Sequence, residues 1–254
     1  MARKLSTRKR AGRDEYAIRE QRKLGGITEA GARQYLGKFF NKGIVSSLHF
    51  RIARGKESDV YIAGAGPALA HASYVILKAF RTDDTSFRRM RGYMAGAARI
   101  GRKGGGMLSA TTSWCRKEFN NLEAARSAGV AAPSPYMSNG TILAMEFIGS
   151  ESGVRAPRLK ETTLEYPDRT LREILAAIAK LYRHGLVHAD MSEYNVLVAD
   201  GNRPVLIDFG QAVQLRHPNA EEFLERDVRN ILHYFEHRYG VRTEPNAALA
   251  SIRG

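Results

Sequence analysis

Three oxygen-bearing side chains stand close together in the stretch LVHADMSEYNVLVADGNRPVLIDFGQAV, residues 186–213. Asp190 is followed five residues later by Asn195, and Asp208 follows the next apolar run. An aspartate can orient an attacking hydroxyl, and amide and carboxylate oxygens suit Mg²⁺. An Asp and an Asn at this spacing are typical of a kinase catalytic loop. The stretch predicts phosphoryl transfer, with Asp190 catalytic and Asn195 and Asp208 as metal ligands. For Asp208 taken alone, a simple turn residue is an equal alternative.

A lysine interrupts an apolar strand upstream. Lys78 lies within YVILKAF, residues 74–80, and a lysine in a buried strand is destabilising unless it is paired. Nucleotide phosphates, with a helix carboxylate as partner, would explain its position. Glu118 is the predicted partner and Glu123 the second candidate. The alternative is an edge-strand lysine that points to solvent.

The stretch ARGKES, residues 53–58, lies between two predicted strands, where a loop that covers phosphates is expected. Gly55 allows a close backbone approach, Lys56 adds charge, and the Ser58 hydroxyl can donate a hydrogen bond. The stretch is neither a GxGxxG loop nor a Walker loop, so the pattern is weak when taken alone.

The stretch AMEFIG, residues 144–149, is the predicted connection between two lobes. Backbone groups of Glu146 and Ile148 are predicted to bond an adenine edge, and Met145 to pack against the base. This prediction rests on position in the chain, and an ordinary hairpin strand fits the same residues.

The composition indicates a basic globular protein. The chain has 254 residues, 43% of them hydrophobic, which allows one large domain or two small lobes around a cleft. The formal net charge of +14 predicts attraction to polyanions such as RNA, DNA or an anionic membrane surface. No stretch approaches the roughly 18 apolar residues of a membrane span, and no secretory signal is expected. The single cysteine, Cys115, favours a reducing, cytoplasmic compartment.

The periodicity predicts strands mainly in the first part of the chain and helices in the second. Residues 1–24 are interpreted as a basic flexible arm, 25–148 as an N-lobe, and 149–254 as a C-lobe. The predicted helices are residues 26–40 with Thr28 as N-cap, 113–129 from a Ser113 cap to Gly129, 170–185 and 219–240. The predicted strands include 74–80 and a hairpin that turns at Asn139-Gly140, while the triple glycine within 81–112 indicates a flexible loop. These elements predict an α+β, bilobal, kinase-like fold with an extra N-terminal helix.

Taken together, the motifs resemble the RIO family of atypical protein kinases. They occur in the expected order between about 45 and 232, and they are GKESDVY, YVILKAF, TSFR, WCRKEFNNL, LAMEFIG, APRLKE, LVHADMSEYNVLV, LIDFGQAV and HPNAEEFLERDVRN. EFIG followed by APRLKE, and the final motif, are most similar to the type-one branch. The segment before Ile44 is too short and too basic for the winged helix of the type-two branch. No long C-terminal tail follows, so the resemblance is to an archaeal-like form.

The resemblance implies a serine kinase and ATPase that binds ATP with Mg²⁺ or Mn²⁺ and autophosphorylates. It also implies a role in maturing the small ribosomal subunit, with precursor rRNA and ribosomal proteins as partners. Lys78 matches the phosphate-binding lysine, Asp190 the catalytic aspartate, and Asn195 and Asp208 the metal ligands. Asp208 also matches the position of a phosphoaspartate, and Ser58 matches a phosphate-loop serine. Ser86 and Ser109 are both candidates for autophosphorylation.

Two departures from ordinary protein kinases argue against a broad peptide-kinase role. Ala189 replaces the arginine of His-Arg-Asp, so that position lacks the cation that clamps a phosphorylated activation loop. Only a short stretch separates Gly210 from a helix that is expected to begin near Asn219, and no Ala-Pro-Glu segment follows. The usual peptide-docking platform is therefore not expected.

Two other functions remain open. A small-molecule kinase of the aminoglycoside-phosphotransferase type has a similar catalytic stretch, although WCRKEF and the +14 charge count against it. The other alternative is a non-catalytic assembly factor that uses nucleotide as a conformational ligand. The presence of Lys78, Asp190, Asn195 and Asp208 favours catalysis over that alternative.

Overall fold

A computed structural model describes residues 30–82 and 107–254. The basic arm, the Thr28 cap, the glycine-rich loop and Ser86 lie outside the described residues. Within the described residues, the chain divides into two compact units. The last boundary between the two units along the chain falls after Phe147. The first unit holds residues 30–82, 107–119 and 135–147, and the second holds 120–134 and 148–254.

The first unit is built on a five-stranded antiparallel sheet in the order β1-β2-β3-β5-β4. The two strands predicted on either side of ARGKES and the YVILKAF strand are confirmed. The elements are α1 (Ala30–Asn41), β1 (Val45–Arg54), β2 (Ser58–Ala65), β3 (Tyr74–Phe80), β4 (Pro135–Asn139) and β5 (Ile142–Glu146).

The core of the first unit forms between α1 and one face of this sheet. Leu36 and Phe39 of the helix are fully buried against Val75, Leu77 and other apolar residues of the strands. Because side chains alternate along a strand, Lys78 projects from the opposite face of β3. The lysine is therefore kept out of the apolar core while remaining in the centre of the sheet.

The β4–β5 hairpin is confirmed, but its two-residue loop is Gly140-Thr141 and not Asn139-Gly140. Asn139 is the last strand residue and pairs with Ile142, and its side-chain amide donates to the Tyr35 carbonyl at 2.8 Å. Gly140 has φ +57°, and a Cβ there would overlap the Tyr35 ring. Glycine is thus required by both backbone conformation and space.

The second unit is mostly helical, and two short antiparallel ladders carry the catalytic-loop motifs. Its elements are the end of α2 (Met107–Ser127), then α3 (Pro167–Arg183), β6 (Leu186–Val187), β7 (Val196–Ala199), β8 (Arg203–Leu206), β9 (Val213–Gln214), α4 (Ala220–Tyr239) and α5 (Pro245–Arg253). β6 pairs with β9, and β7 pairs with β8. Buried apolar residues of α3 and α4, such as Ile174 and Ile231, form the core.

The predicted helix ends agree with the structure in part. The Ser113 cap is wrong, because α2 begins at Met107 and the Ser113 hydroxyl donates to the Ser109 carbonyl at 2.9 Å inside the helix. Gly129 is confirmed as the stop, with φ +71° and its N–H donating to the Arg126 carbonyl. The helix expected near Asn219 begins at Ala220, as predicted.

The final helix, α5, was missed by the sequence interpretation. Pro245 stands at its first position, where proline is favoured, and Ala248, Leu249 and Ile252 form its buried face. The helix is short, and its apolar face is narrow. None of the helices in the described ranges combines the length and apolarity that crossing a lipid bilayer requires.

Candidate active site

The first unit holds a buried ion pair between β3 and α2. The Lys78 ammonium donates to both carboxylate oxygens of Glu118 at 2.8 Å. The side chains are only 8% and 1% exposed. The pairing predicted from the sequence is therefore present, and Glu123, the second candidate, is exposed to solvent. A bidentate contact holds the ammonium in one position, which suits it to bind an anion such as a phosphate.

Next to this pair, Cys115 of α2 is fully buried. Burial foremost, and then the Glu118 carboxylate, raise the pKa of the thiol, while Lys78 acts in the opposite direction. Cys115 is consequently held as a neutral thiol behind the ion pair.

The loop between β1 and β2 is a tight turn. The Gly55 N–H donates to the Ser58 carbonyl at 2.8 Å, and a Cβ on Gly55 would lie 3.0 Å from that oxygen. Lys56 is exposed at the tip of the turn, whereas Ser58 is the first residue of β2 and is buried. The phosphate contacts predicted for Lys56 and Ser58 stay predictions.

Residues predicted to bind adenine lie at and beyond the end of β5. Met145 is buried, and Glu146 is opposite Val75 in the β3–β5 ladder. Ile148 begins the second unit, and its carbonyl accepts the Ala156 N–H at 3.0 Å. The predicted contacts of these backbone groups with a base also stay predictions.

In the second unit, Asn195 is bonded directly to Asp190. The Asn195 amide nitrogen donates to the Asp190 carbonyl at 2.7 Å and to its carboxylate at 3.0 Å. The backbone of Asn195 is fixed at the start of β7, where its N–H donates to the Ser192 carbonyl and its own carbonyl accepts the Ile207 N–H. With the amide nitrogen directed to Asp190, the amide oxygen is the atom that can serve a metal ion.

The Asp190 and Asp208 carboxylates act on each other electrostatically. Burial foremost, and then the negative charge of Asp208, raise the pKa of Asp190, whereas His188 and the bond from Asn195 lower it. A divalent cation would relieve this repulsion. Among the described residues no cluster of three or more Asp, Glu, His or Cys side chains forms a complete metal centre. The donor set fits Mg²⁺ that takes its remaining ligands from water and nucleotide phosphates.

Both aspartate motifs contain backbone in the left-handed region. Ala189 has φ +63° and Asp208 has φ +65°. Non-glycine residues rarely adopt this conformation, and they keep it where the surroundings over-determine it.

Asp227 of α4 provides that constraint at Ala189. Its carboxylate accepts the backbone N–H groups of Ala189 at 2.7 Å and Met191 at 2.9 Å. The Arg226 guanidinium donates to the Ala189 carbonyl at 2.6 Å, and the Asn230 amide donates to the Met191 carbonyl at 3.1 Å. Burial raises the pKa of Asp227. His188 and the bonds from the Met191 and Ala189 N–H groups oppose this shift. α4 thus fixes the backbone on both sides of Asp190.

Asp227 lies within the motif HPNAEEFLERDVRN, but the sequence interpretation assigns it no role. A pattern that could have revealed it is an aspartate on the buried face of an amphipathic helix, between Leu224 and Val228. A buried carboxylate requires hydrogen-bond donors, and backbone N–H groups of a neighbouring loop are a common source.

The Asp208 loop is held by two residues that sequence reasoning also missed. The Asn121 amide of α2 donates to the Phe209 carbonyl at 2.9 Å and to the Ala212 carbonyl at 3.1 Å. The buried His188 contacts the Ile207 carbonyl through Nε2 at 3.1 Å and packs against the Phe209 ring. The loop therefore has a fixed shape on both sides of Asp208.

A buried lysine–glutamate pair in the first unit, and an Asp–Asn pair and an Ile-Asp-Phe-Gly loop in the second, are features typical of kinase-type phosphotransferases. The family model for the RIO domain matches residues 59–248. The RIO-type serine/threonine-protein kinase Rio1 of Haloferax volcanii is 37% identical over 85% of this chain and 72% of its own length. Rio1 of Thermoplasma acidophilum is 35% identical over 70% of this chain and 93% of its own length.

A solved structure shares the fold. The Rio2 kinase of Chaetomium thermophilum, in a complex described as ADP/Mg²⁺-phosphoaspartate, is similar with a TM-score of 0.66 and 26% identity. The match covers 86% of this chain and 65% of that one. The kinase-like α+β fold predicted from the sequence is confirmed. The chain belongs to the RIO family of serine/threonine-protein kinases, and its relatives include archaeal Rio1 proteins.

Proposed function

We propose that this protein is an ATP-dependent serine kinase and ATPase that autophosphorylates and acts in maturation of the small ribosomal subunit. The observation that carries the catalytic part is the bond from the Asn195 amide to Asp190, together with the charge of Asp208 that acts on the same carboxylate. This arrangement combines a group that can orient an acceptor hydroxyl with two oxygens suited to magnesium.

Each predicted residue has a distinct role in this proposal. Lys78 binds nucleotide phosphates and is positioned by Glu118, while Lys56 and Ser58 contact the phosphates from the β1–β2 turn. Backbone groups of Glu146 and Ile148 bond the adenine, with Met145 packed against it. When bound, Mg²⁺ or Mn²⁺ neutralises phosphate charge. Asp190 orients the attacking hydroxyl and accepts its proton.

We extend the phosphoaspartate described for the Rio2 relative to Asp208. An Asp208 carboxylate oxygen would attack the γ-phosphorus, and the bond to the β-phosphate oxygen would break to release ADP. Water would then cleave the acyl phosphate, which regenerates the carboxylate and releases phosphate. Acid-quenched protein treated with hydroxylamine should lose the label from [γ-³²P]ATP, and the Asp208→Asn variant should not acquire hydroxylamine-sensitive label.

The net charge of +14 supports an RNA-containing partner. Mass spectrometry of affinity-purified complexes should identify small-subunit proteins and rRNA. ATP hydrolysis should rise when small-subunit precursor particles are added. Stimulation by a small amine substrate instead would assign the protein to the small-molecule kinases.

RNA affinity should fall steeply with salt and on deletion of residues 1–24. An affinity that is unchanged by the deletion would exclude the arm from RNA binding.

A further inference from the structure

Lys160 and Tyr194 form an exposed pair beside the catalytic loop, here called the acceptor platform. The Lys160 ammonium lies 4.0 Å from the centre of the Tyr194 ring. Tyr194 is 48% exposed, and Lys160 is also exposed. A cation over an aromatic face is attracted by the ring electrons. The Tyr194 ring therefore favours the side-chain conformation of Lys160 that places the ammonium over it.

The turn that carries Lys160 is firmly attached to the rest of the second unit. Leu159 is fully buried, and its carbonyl accepts the Tyr234 hydroxyl at 2.9 Å. The Lys160 N–H donates to the Glu193 carbonyl at 3.3 Å, and the Val198 N–H donates to the Pro157 carbonyl at 2.8 Å. These bonds attach the turn to the catalytic loop and to β7. The platform is therefore preorganised, which reduces the entropy lost when a ligand binds.

The platform is connected to the proposed reacting groups through the catalytic loop. Tyr194 directly precedes Asn195, whose amide is bonded to Asp190. Any protein segment that presents a hydroxyl to Asp190 must therefore pass close to the residues of this short loop. Lys160 lies beside this loop through its ring contact with Tyr194 and its backbone bond to Glu193.

The charges around the platform favour an anionic ligand. The Glu161 carboxylate is engaged by the Arg155 guanidinium at 2.8 Å and by the Arg158 N–H at 2.9 Å. Glu193 lies in the same loop as Tyr194, and its carboxylate raises the pKa of the Tyr234 hydroxyl less than burial and Tyr239 do. In the part of the chain that the structure describes, Lys160 forms no ion pair with a carboxylate.

We propose that Lys160, positioned by Tyr194, is a specificity-determining residue for the phosphoacceptor and selects protein segments with a carboxylate next to the accepting hydroxyl. This inference rests on the proposed kinase function and specifies its substrate class. The occupant is a protein segment, because the proposed activity transfers phosphate to a serine. Tyr194 is a positioning residue that keeps the ammonium at the edge of the loop.

The test is a serine-centred positional-scanning peptide library with [γ-³²P]ATP, applied to the full chain and to Lys160→Glu. The wild-type protein should prefer Asp or Glu by about two- to five-fold at one or more flanking positions, as expected for a partly exposed charge pair. Lys160→Glu should prefer Lys or Arg at the same position, and Tyr194→Leu should weaken the acidic preference. Because each preference is a ratio within one protein preparation, partial unfolding does not alter it. Lys42→Glu, another exposed lysine, is the matched control and should keep the wild-type preference.

Three results would overturn the inference. An acidic preference that survives in Lys160→Glu would exclude Lys160 as its source. Absence of peptide phosphorylation by a wild-type protein that still hydrolyses ATP would remove the acceptor assignment but leave the nucleotide function. Weaker binding of a labelled single-stranded RNA oligonucleotide by Lys160→Glu, with an unchanged peptide preference, would assign the platform to RNA. Loss of both ATP hydrolysis and autophosphorylation in the wild-type protein is a separate outcome, which contradicts the proposed function itself.

Discussion

The two groups of proposed catalytic residues use charge in opposite ways. In the first unit, Lys78 and Glu118 are buried opposite charges in bidentate contact at 2.8 Å. In the second unit, Asp190 and Asp208 are like charges, and the second raises the pKa of the first. The first group is stabilised by attraction within itself, whereas the second requires a cation to offset its repulsion. The comparison indicates that metal binding should affect the second group far more than the first.

The backbone shows a parallel difference. Lys78 lies in a regular strand, in register with Val60 and Leu143 of its neighbours. Ala189 and Asp208 instead have positive φ angles and depend on side chains of distant elements. The β3 backbone is held by regular ladder bonds on both sides, whereas the acidic site depends on single side chains of α4 and α2. Mutations far from Asp190 in sequence are therefore expected to disturb the second group.

The largest expected effect comes from removing the Asp208 carboxylate. Asp208→Ala should lower kcat for ATP hydrolysis at least about 100-fold, since the carboxylate proposed to hold the metal ion and to accept the phosphoryl group is lost. Asp208→Asn is the matched control for the backbone, because asparagine tolerates the left-handed conformation that alanine does not favour. Similar losses in both variants would locate the effect in charge, and a larger loss in Asp208→Ala would reveal a backbone contribution. Hydrolysis at the wild-type rate in both variants would exclude Asp208 from the chemistry.

Lys78 tests whether the ion pair serves stability, activity or both. Lys78→Met leaves Glu118 as a buried unpaired charge and should destabilise the protein by about 3–5 kcal/mol in chemical denaturation. The double variant Lys78→Met/Glu118→Leu should recover most of that stability because no buried charge remains. If Lys78 binds phosphates, the double variant should still have weakened ATP binding in calorimetry. Recovery of ATP binding together with stability would show that the pair is only structural.

Asp227 tests the dependence of the acidic site on a distant helix. Asp227→Asn replaces an acceptor by an N–H donor that faces a backbone N–H, which should lower the free energy of unfolding by about 1–3 kcal/mol. It should also lower kcat, since Ala189 and Met191 flank Asp190. Glu222→Gln, an exposed change on the same helix, is the control and should have little effect in thermal unfolding or ATPase assays. An unchanged kcat in Asp227→Asn would show that the catalytic backbone does not depend on this anchor.

The smallest predicted effect is a shift in pH dependence. If ionised Asp190 is required, activity falls as pH decreases through its pKa, and a raised pKa moves this acid limb to higher pH than for an ordinary aspartate. Asp208→Asn removes the like charge, so the acid limb of its residual activity should shift to lower pH. The measurement is the pH profile of kcat/KM with MgATP as the varied substrate and no excess Mg²⁺, which reports ionisation in the free enzyme. A limb that does not move would show that Asp208 has no influence on the ionisation of Asp190.

Local patterns were sufficient to predict the strands, the long helices and the contact between Lys78 and Glu118. These features depend on periodicity over neighbouring residues and on the requirement that a buried charge be paired. The Ser113 cap was wrong because α2 extends six residues further toward the N-terminus, where the composition of the chain indicated a loop. Asp227 and Asn121 received no role because their partners are backbone groups, which every residue carries, so no complementary residue type marks the contact as Glu118 does for Lys78. The helix pattern around Asp227 indicates a buried carboxylate that needs donors, but it does not identify the backbone groups that supply them.

The burial of Cys115 gives the protein an internal reporter of unfolding. It is the only cysteine in the sequence, it has no exposed surface, and its thiol is kept protonated. A thiol-reactive dye should therefore label the folded protein only when α2 separates from the sheet. The labelling rate then measures the opening of the helix that carries Glu118, without an engineered probe. Nucleotide bound through Lys78 should slow labelling, which provides a chemical readout of occupancy that is independent of catalysis.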